Sequence, residues 1–225
     1  MKLAALISGG KDSIYAAYVM KQQGHKITYL LTMHPKRTDS YMFHHPNIEL
    51  TESIAKSMNI PLIIGTTKGE KEKELADLEE LILKVKNHVD GIITGAIDSK
   101  YQKERIDAIC LKHGLKSIAP LWHKDPKAYL EELLENKFTI IITAVAADGL
   151  DASWLGRNID KKAIDDLEKI NKKVGIHMAG EGGEYETLVL DCPLYQKRIF
   201  ITGAENLWKD DSGIYKIDDV KLIDK

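Results

Sequence analysis

A short apolar run near the amino terminus, residues 3–7, leads directly into a Ser-Gly-Gly-Lys-Asp-Ser sequence and then into a segment with helical periodicity. This order predicts a buried strand, a glycine turn and a helix. Two adjacent glycines permit a positive φ and a close approach to a ligand. The N–H groups that begin the following helix form an anion site. Because hydroxyls and an ammonium surround that site, the pattern predicts phosphate binding by six residues: Ser8, Gly9, Gly10, Lys11, Asp12 and Ser13.

The glycine turn differs from a Walker A loop, which follows the pattern Gly-x-x-x-x-Gly-Lys-Ser/Thr. Ala5 occupies the position of the first glycine, and Asp12 rather than a hydroxyl residue follows Lys11. A purely structural alternative is a tight strand-to-helix turn in which Asp12 or Ser13 lies near the N-cap.

Strand-like and helix-like segments alternate through the first half of the chain. Five short apolar runs predict strands near residues 3–8, 27–33, 61–65, 90–94 and 116–119. Such alternation is typical of an α/β protein in which helices cover both faces of a parallel sheet. Beyond it the pattern predicts a smaller α+β domain, so we expect a boundary between residues 1–125 and 126–225. The last two strands are predicted at about 198–203 and 213–218.

Composition argues against several classes of protein. The 225 residues carry a net charge of −2 and no basic run, which disfavours stable nucleic-acid binding through phosphates. The apolar runs are too short to cross a bilayer, and no targeting segment precedes the first strand, so we expect a cytoplasmic protein with no membrane partner. Cys110 and Cys192 fit apolar patterns and are expected to be inert buried thiols. The sequence leaves open whether the protein forms a homo-oligomer.

Two segments of the first half carry further chemistry. Residues 32–46 form a long connection with three histidines, which we interpret as a lid or substrate-binding loop that includes His45. Ser99 followed three residues later by Gln102 fits a helix capping box, which alone could account for both residues. The same helix would place Tyr101 and Arg105 one turn apart on one face, where an arginine could bind a phosphate or carboxylate.

The second half contains an arginine and a group of carboxylates. Arg157 follows a predicted strand, near acidic residues. Glu181, Glu184 and Glu186 lie within six residues around a double glycine and Tyr185. Clustered carboxylates repel one another unless solvent, a cation or a basic partner neutralises them. The segment is therefore either an ordinary glycine hairpin turn or an acidic pocket for a cationic substrate.

The glycine turn resembles the PP-loop of the N-type ATP pyrophosphatases, enzymes that adenylate an oxygen and release pyrophosphate. Further blocks resemble one branch, the diphthine–ammonia ligase (diphthamide synthase) family: LTMHPKRTDSYMFHHPN, GAIDSKYQKER, APLW, DGLDASWLGR and EGGEYET. Together the blocks extend from Ser8 to Thr187. The resemblance implies a parallel-sheet nucleotide-binding domain of the adenine nucleotide α-hydrolase-like type.

Membership of this family would imply amidation of diphthine, a modified histidine of translation elongation factor 2. The diphthine carboxylate attacks the α-phosphorus of ATP, pyrophosphate leaves, and ammonia then displaces AMP from the acyl-adenylate. The resemblance thus implies ATP as substrate, Mg²⁺ bound by Asp12, elongation factor 2 as protein substrate and ammonium as nitrogen source.

The same resemblance assigns roles to the candidate residues. Lys11, Asp12 and Arg105 are expected to be catalytic, and Gly95 and Ala96 would let the adenine or ribose lie against a second strand edge. Acceptor binding is expected of eight residues: His45, Tyr101, Gln102, Arg157, Glu181, Glu184, Tyr185 and Glu186. The alternatives are another PP-loop chemistry on a tRNA base, amidation of a small-molecule carboxylate, and a non-catalytic adenine-nucleotide sensor.

Overall fold

The computed structural model describes residues 1–35, 47–68 and 73–225. Backbone contacts divide the chain into two compact units, Met1–Trp122 and His123–Lys225. The division falls close to residue 125, where the alternation of strand and helix patterns ends in the sequence.

The first unit contains a parallel five-stranded sheet with helices between its strands. The strands are β1 (Lys2–Leu6), β2 (Lys26–Pro35), β3 (Leu62–Thr67), β4 (Gly91–Ile93) and β5 (Lys116–Ile118). They pair in the order β3-β2-β1-β4-β5, and every pairing is parallel. The helices are α1 (Lys11–Gln22), α2 (Thr51–Met58), α3 (Lys73–Leu83) and α4 (Lys100–Lys112), with a 3₁₀ turn at Ile48–Leu50. The predicted α/β architecture is thereby confirmed.

Apolar side chains hold two of these helices on one face of the sheet. Leu31 and Met33 of β2 and Ile92 of β4 belong to one buried cluster with Leu81 of α3 and Ile106 of α4. Leu31 and Met33 share a face because side chains alternate along a strand. Full burial of such a side chain contributes about 1.5–3 kcal/mol, so this cluster stabilises the layer of α3 and α4 on the sheet.

The strand order determines where two candidate segments lie. β1 pairs with β2 on one side and with β4 on the other, so the direction in which the sheet grows reverses between β1 and β4. Ligands of open parallel sheets bind outside the carboxyl ends of the strands at such a reversal. The glycine turn follows β1 and residues 94–97 follow β4. The topology therefore brings both segments to one crevice.

The second unit is an α+β arrangement around an antiparallel sheet, as expected. It comprises α5 (Pro126–Glu135), β6 (Thr139–Val145), a 3₁₀ turn (Ala152–Trp154), α6 (Lys161–Val174), β7 (Tyr185–Asp191), β8 (Lys197–Lys209) and β9 (Ser212–Asp224). The sheet order is β7-β6-β9-β8, and its pairings are antiparallel.

Three strands, β2, β8 and β9, are longer than the sequence-based expectation. β8 and β9 each extend over 13 residues and join through a tight turn in which Asp210 has a φ of 53°. The added length was missed because these strand ends are exposed or only half-buried, so cross-strand hydrogen bonds rather than burial define them. β2 continues to Pro35, so the connection predicted from residue 32 begins later. His45 lies outside the described residues. Among the described helices, none is long and apolar enough to span a membrane.

Candidate functional site

The glycine turn is closed by its own backbone and hydroxyl groups. Gly9 has a φ of 92°, and Gly10 is the N-cap residue of α1. The Ser8 N–H donates to Ser13 Oγ (3.3 Å), and that hydroxyl donates to the Gly10 carbonyl (3.1 Å). The Gly10 N–H donates to Ser8 Oγ (3.5 Å). Asp12 and Ser13 lie in the first turn of α1, two and three residues after the N-cap, so the structure is consistent with the purely structural alternative as well.

A glycine N-cap gives the start of α1 no capping side chain. The N–H groups of a first helical turn have no carbonyl partner within the helix, and the helix dipole adds a positive potential there. Lys11 is only 2% exposed, and its Nζ lies 3.1 Å from the Asp12 carboxylate, whose side chain is 30% exposed. Backbone donors, a buried cation and a partly exposed carboxylate thus meet at one helix end, an arrangement that suits a phosphate with a divalent cation.

Gly95 follows β4 and lies directly against the backbone of α1. A Cβ atom at this position would lie 2.6 Å from the Ser13 nitrogen and 2.7 Å from the Asp12 carbonyl carbon. Such distances are far inside van der Waals contact, so close packing of two backbone segments explains the glycine. Ala96 is 4% exposed, and its N–H donates to Thr94 Oγ1 (3.4 Å). The nucleotide contacts expected of Gly95 and Ala96 stay predictions.

The start of α4 carries a capped turn and a stacked arginine. Ser99 is the N-cap residue, and its Oγ accepts a hydrogen bond from the Gln102 N–H (3.4 Å). The guanidinium carbon of Arg105 lies 3.3 Å from the centre of the Tyr101 ring, and Nη1 donates to the Tyr101 carbonyl (3.4 Å). The two side chains therefore share one face of the helix, as their spacing predicts.

Arg157 is held by side chains of its own unit. Its Nη2 donates to Asp166 Oδ2 (2.7 Å), and its guanidinium carbon lies 4.2 Å from the centre of the Trp154 ring. The hydrogen bond from Arg157 lowers the pKa of Asp166. This ion pair and stack give the arginine a structural role that the sequence did not indicate, and its acceptor contact stays a prediction.

The segment 181–186 is shaped by two residues that the sequence assigned to acceptor binding. Tyr185 is 2% exposed, and its hydroxyl donates to the Met178 carbonyl (2.6 Å). The two carboxylate oxygens of Glu184 accept from the N–H groups of His177 (2.7 Å) and Gly182 (2.9 Å). The enclosed ring argues against the cation contact expected of Tyr185, and its acceptor role stays a prediction. Glu184 orders the loop, and its acceptor contact stays a prediction.

Sequence reasoning missed His177, which orders the same loop. Its Nδ1 accepts hydrogen bonds from the N–H groups of Ala179 (3.2 Å) and Glu181 (3.5 Å). No motif marks this histidine; its only signal is its position shortly before the double glycine. The side chains of Glu181 and Glu186 are half-buried.

The two cysteines are buried, as predicted. Desolvation raises the pKa of Cys110 to about 11 and that of Cys192 to about 12. The thiolate is the reactive form of cysteine, so both side chains are inert at neutral pH. Within the part of the chain that the structure describes, no group of three or more His, Cys, Asp or Glu side chains could hold a metal ion.

The fold and the site define a class of α/β proteins. In these proteins a helix with a glycine N-cap begins where the strand order of a parallel sheet reverses, and its first turn is suited to bind a phosphate. Comparison with known families makes this specific. The model of the diphthamide synthase N-terminal domain matches residues 1–117, and the model of the C-terminal domain matches residues 125–223. The chain belongs to the diphthamide synthase family.

Individual relatives agree with this assignment. A diphthine–ammonia ligase from Bos taurus is 37% identical over 91% of this chain and 84% of its own length. One from Danio rerio is 35% identical over 94% of this chain and 90% of its own length. Among solved structures, a predicted subunit of a tRNA methyltransferase from Methanocaldococcus jannaschii aligns with a TM-score of 0.46 and 19% identity, over 86% of this chain and 98% of that one. A likeness that distant carries no functional argument.

Proposed function

We propose that this protein is an ATP-dependent ligase that amidates the diphthine residue of elongation factor 2 to diphthamide. The diphthine carboxylate attacks the α-phosphorus of ATP and pyrophosphate leaves; ammonia then attacks the acyl carbon and AMP leaves. The observation that carries the proposal is the glycine-capped start of α1 with its buried Lys11 ammonium, in a chain that both domain models of the diphthamide synthase family match.

The leaving pyrophosphate is the group that the glycine turn suits. Its β- and γ-phosphates would be held by backbone N–H groups at Gly9 and Gly10, by the Lys11 ammonium and by the hydroxyls of Ser8 and Ser13. Donors that are already oriented before the reaction stabilise charge that develops on the leaving group. The position of the turn at the reversal of the sheet supports this assignment.

Mg²⁺ suits the same place. This ion is usually held by one or two protein carboxylates together with substrate phosphates. Asp12 supplies one partly exposed carboxylate beside the phosphate-suited helix end. Bound there, the ion would neutralise phosphate charge.

The remaining residues are assigned to the reacting and acceptor groups. Arg105 would bind the α-phosphate or the acceptor carboxylate, because a guanidinium matches either anion with two parallel hydrogen bonds. The trimethylammonium of diphthine is a cation, which favours the half-buried carboxylates of Glu181 and Glu186 as its receptor, with Glu184 ordering the loop between them. The acceptor contacts of Gln102, Arg157 and His45 belong to the same proposal.

Two observations support free ammonium as the nitrogen source and argue against a thiolation reaction. Release of ammonia from glutamine by a cysteine nucleophile needs a reactive thiol, and sulfur transfer often needs one too. Cys110 and Cys192 are the only cysteines of this chain, and their raised pKa values keep both protonated at neutral pH.

The test is an incubation with ATP, ammonium and elongation factor 2 that carries diphthine. We expect AMP and pyrophosphate in equal amounts, together with the amidated acceptor, and only when the acceptor is present. Elongation factor 2 without diphthine is the matched control. Formation of ADP, or no nucleotide cleavage with the diphthine-bearing acceptor, would refute the proposal.

A further inference from the structure

The Arg105 guanidinium stacks on Tyr101, one turn earlier in α4. Tyr101 lies in the first turn of α4, and the Arg105 side chain turns back over it, toward the helix N-terminus. The guanidinium carbon is 3.3 Å from the ring centre, Nη1 donates to the Tyr101 carbonyl at 3.4 Å, and the Nε atom is buried. A ring face, a carbonyl and burial together restrict the guanidinium to one orientation.

Fixed orientation matters because an arginine side chain otherwise samples many rotamers. Ordering it when a ligand binds costs conformational entropy, whereas a stacked guanidinium has lost that freedom during folding. α4 begins shortly after β4, at the same sheet edge as the glycine turn. The stack therefore orders a planar, two-pronged anion donor at the crevice where a nucleotide is expected.

We propose that Tyr101 is a positioning residue for Arg105 rather than a contact of the acceptor. Its ring holds the guanidinium in the orientation that binds the α-phosphate of ATP or the acceptor carboxylate that attacks it; this assignment rests on the proposed function. The role needs the aromatic face, because the ring quadrupole attracts the cation. The hydroxyl has no part in it, although an acceptor contact would use that group.

Tyr101→Phe and Tyr101→Leu separate the two roles. Tyr101→Phe keeps the ring face, so we expect unchanged kcat for pyrophosphate release and unchanged KM for the acceptor. Tyr101→Leu removes the cation–π attraction, and we expect kcat to fall about tenfold with little change in either KM. The kcat of Arg105→Lys should fall at least as far, because an ammonium lacks the planar pair of donors that a guanidinium has. The matched control is Asp107→Asn, which removes the ion pair with Lys103 (2.6 Å) from the same helix and should leave kcat unchanged.

The stack itself is measured without turnover. The Arg105 side-chain Nε–H resonance should be shifted by the ring current of Tyr101 in the wild type and in Tyr101→Phe, and should lose that shift in Tyr101→Leu. Absence of the shift in the wild type would overturn the inference.

The kinetic outcomes are equally decisive. Wild-type kcat in Tyr101→Leu would overturn the positioning role, and a raised acceptor KM in Tyr101→Phe would return Tyr101 to acceptor binding. If the wild type shows the ring-current shift but never releases pyrophosphate, the proposed function fails, and the assigned role fails with it although the stack exists.

Discussion

Replacement of Gly95 by alanine tests how the crevice between β1 and β4 is built. The added Cβ would lie 2.6 Å from the Ser13 nitrogen, 2.7 Å from the Asp12 carbonyl carbon and 2.9 Å from the Asp12 oxygen. Ordinary contact begins at 3.4 Å, so the backbone of α1 must retreat by about 0.8 Å. No flexible side chain can absorb this movement, because all three atoms belong to the main chain.

The size of the effect follows from this displacement. Insertion of a methyl group into a packed interior usually costs about 1–3 kcal/mol of the free energy of unfolding. Misplacement of catalytic groups by roughly 1 Å lowers the rate about a hundredfold. We therefore expect Gly95→Ala to be moderately destabilised in urea denaturation and to release pyrophosphate about a hundredfold more slowly than the wild type.

The matched control is Gly203→Ala. Gly203 has a negative φ, and a Cβ there would meet no atom closer than 3.9 Å, so stability and rate should stay near wild type. Wild-type stability and pyrophosphate release in Gly95→Ala would refute the packing argument. Lower stability with an unchanged rate would show that the contact supports the fold but does not position the glycine turn.

Three further changes probe other parts of the molecule. Asp12→Ala should reduce pyrophosphate release to background with an unchanged circular dichroism spectrum; near-normal turnover would refute its metal role. Tyr185→Phe leaves the buried Met178 carbonyl without its hydrogen-bond donor and should lower the free energy of unfolding by about 1–3 kcal/mol in urea denaturation. An unchanged urea midpoint would contradict the burial of this hydrogen bond. Hydrogen bonds from Lys127 and Lys172 lower the pKa of Glu168 from 4.5 to about 2. The ion pairs of Glu168 therefore contribute to stability above pH 4.5, and this contribution is lost as the pH falls toward 2. Glu168→Gln should reduce the pH dependence of the thermal unfolding midpoint between pH 4.5 and pH 2. A variant with the same pH dependence as the wild type would exclude the pairing.

Much of the first unit could be predicted from the sequence because its signals are local and strong. Most of its strands contain short runs of apolar residues, and α3 and α4 carry apolar residues that pack on the sheet. The capping of α4 by Ser99 and the shared face of Tyr101 and Arg105 depend only on residues three or four positions apart. Residues three or four positions apart lie on the same face of any α-helix, so these contacts could be predicted without the rest of the structure.

The second unit shows where this reasoning ends. The second halves of β8 and β9 are exposed or only half-buried, so burial does not mark where these strands end and their length could not be predicted. Tyr185 suggested a surface receptor because of its acidic neighbours, but the structure encloses it. Burial depends on which distant segments cover a side chain, and a charge pattern along the chain contains no such information.

The sequence by itself determined the glycine turn, the helix that follows it and the alternation that makes the first unit a parallel sheet. These features depend on backbone conformations and spacings within a few residues. Only the tertiary structure decided that β1 lies between β2 and β4, that Gly95 packs on the backbone of Asp12 and Ser13, and that Lys11 is buried. The reason is physical: strand order and burial arise from contacts between segments far apart in the chain, where many local patterns compete and packing selects one arrangement.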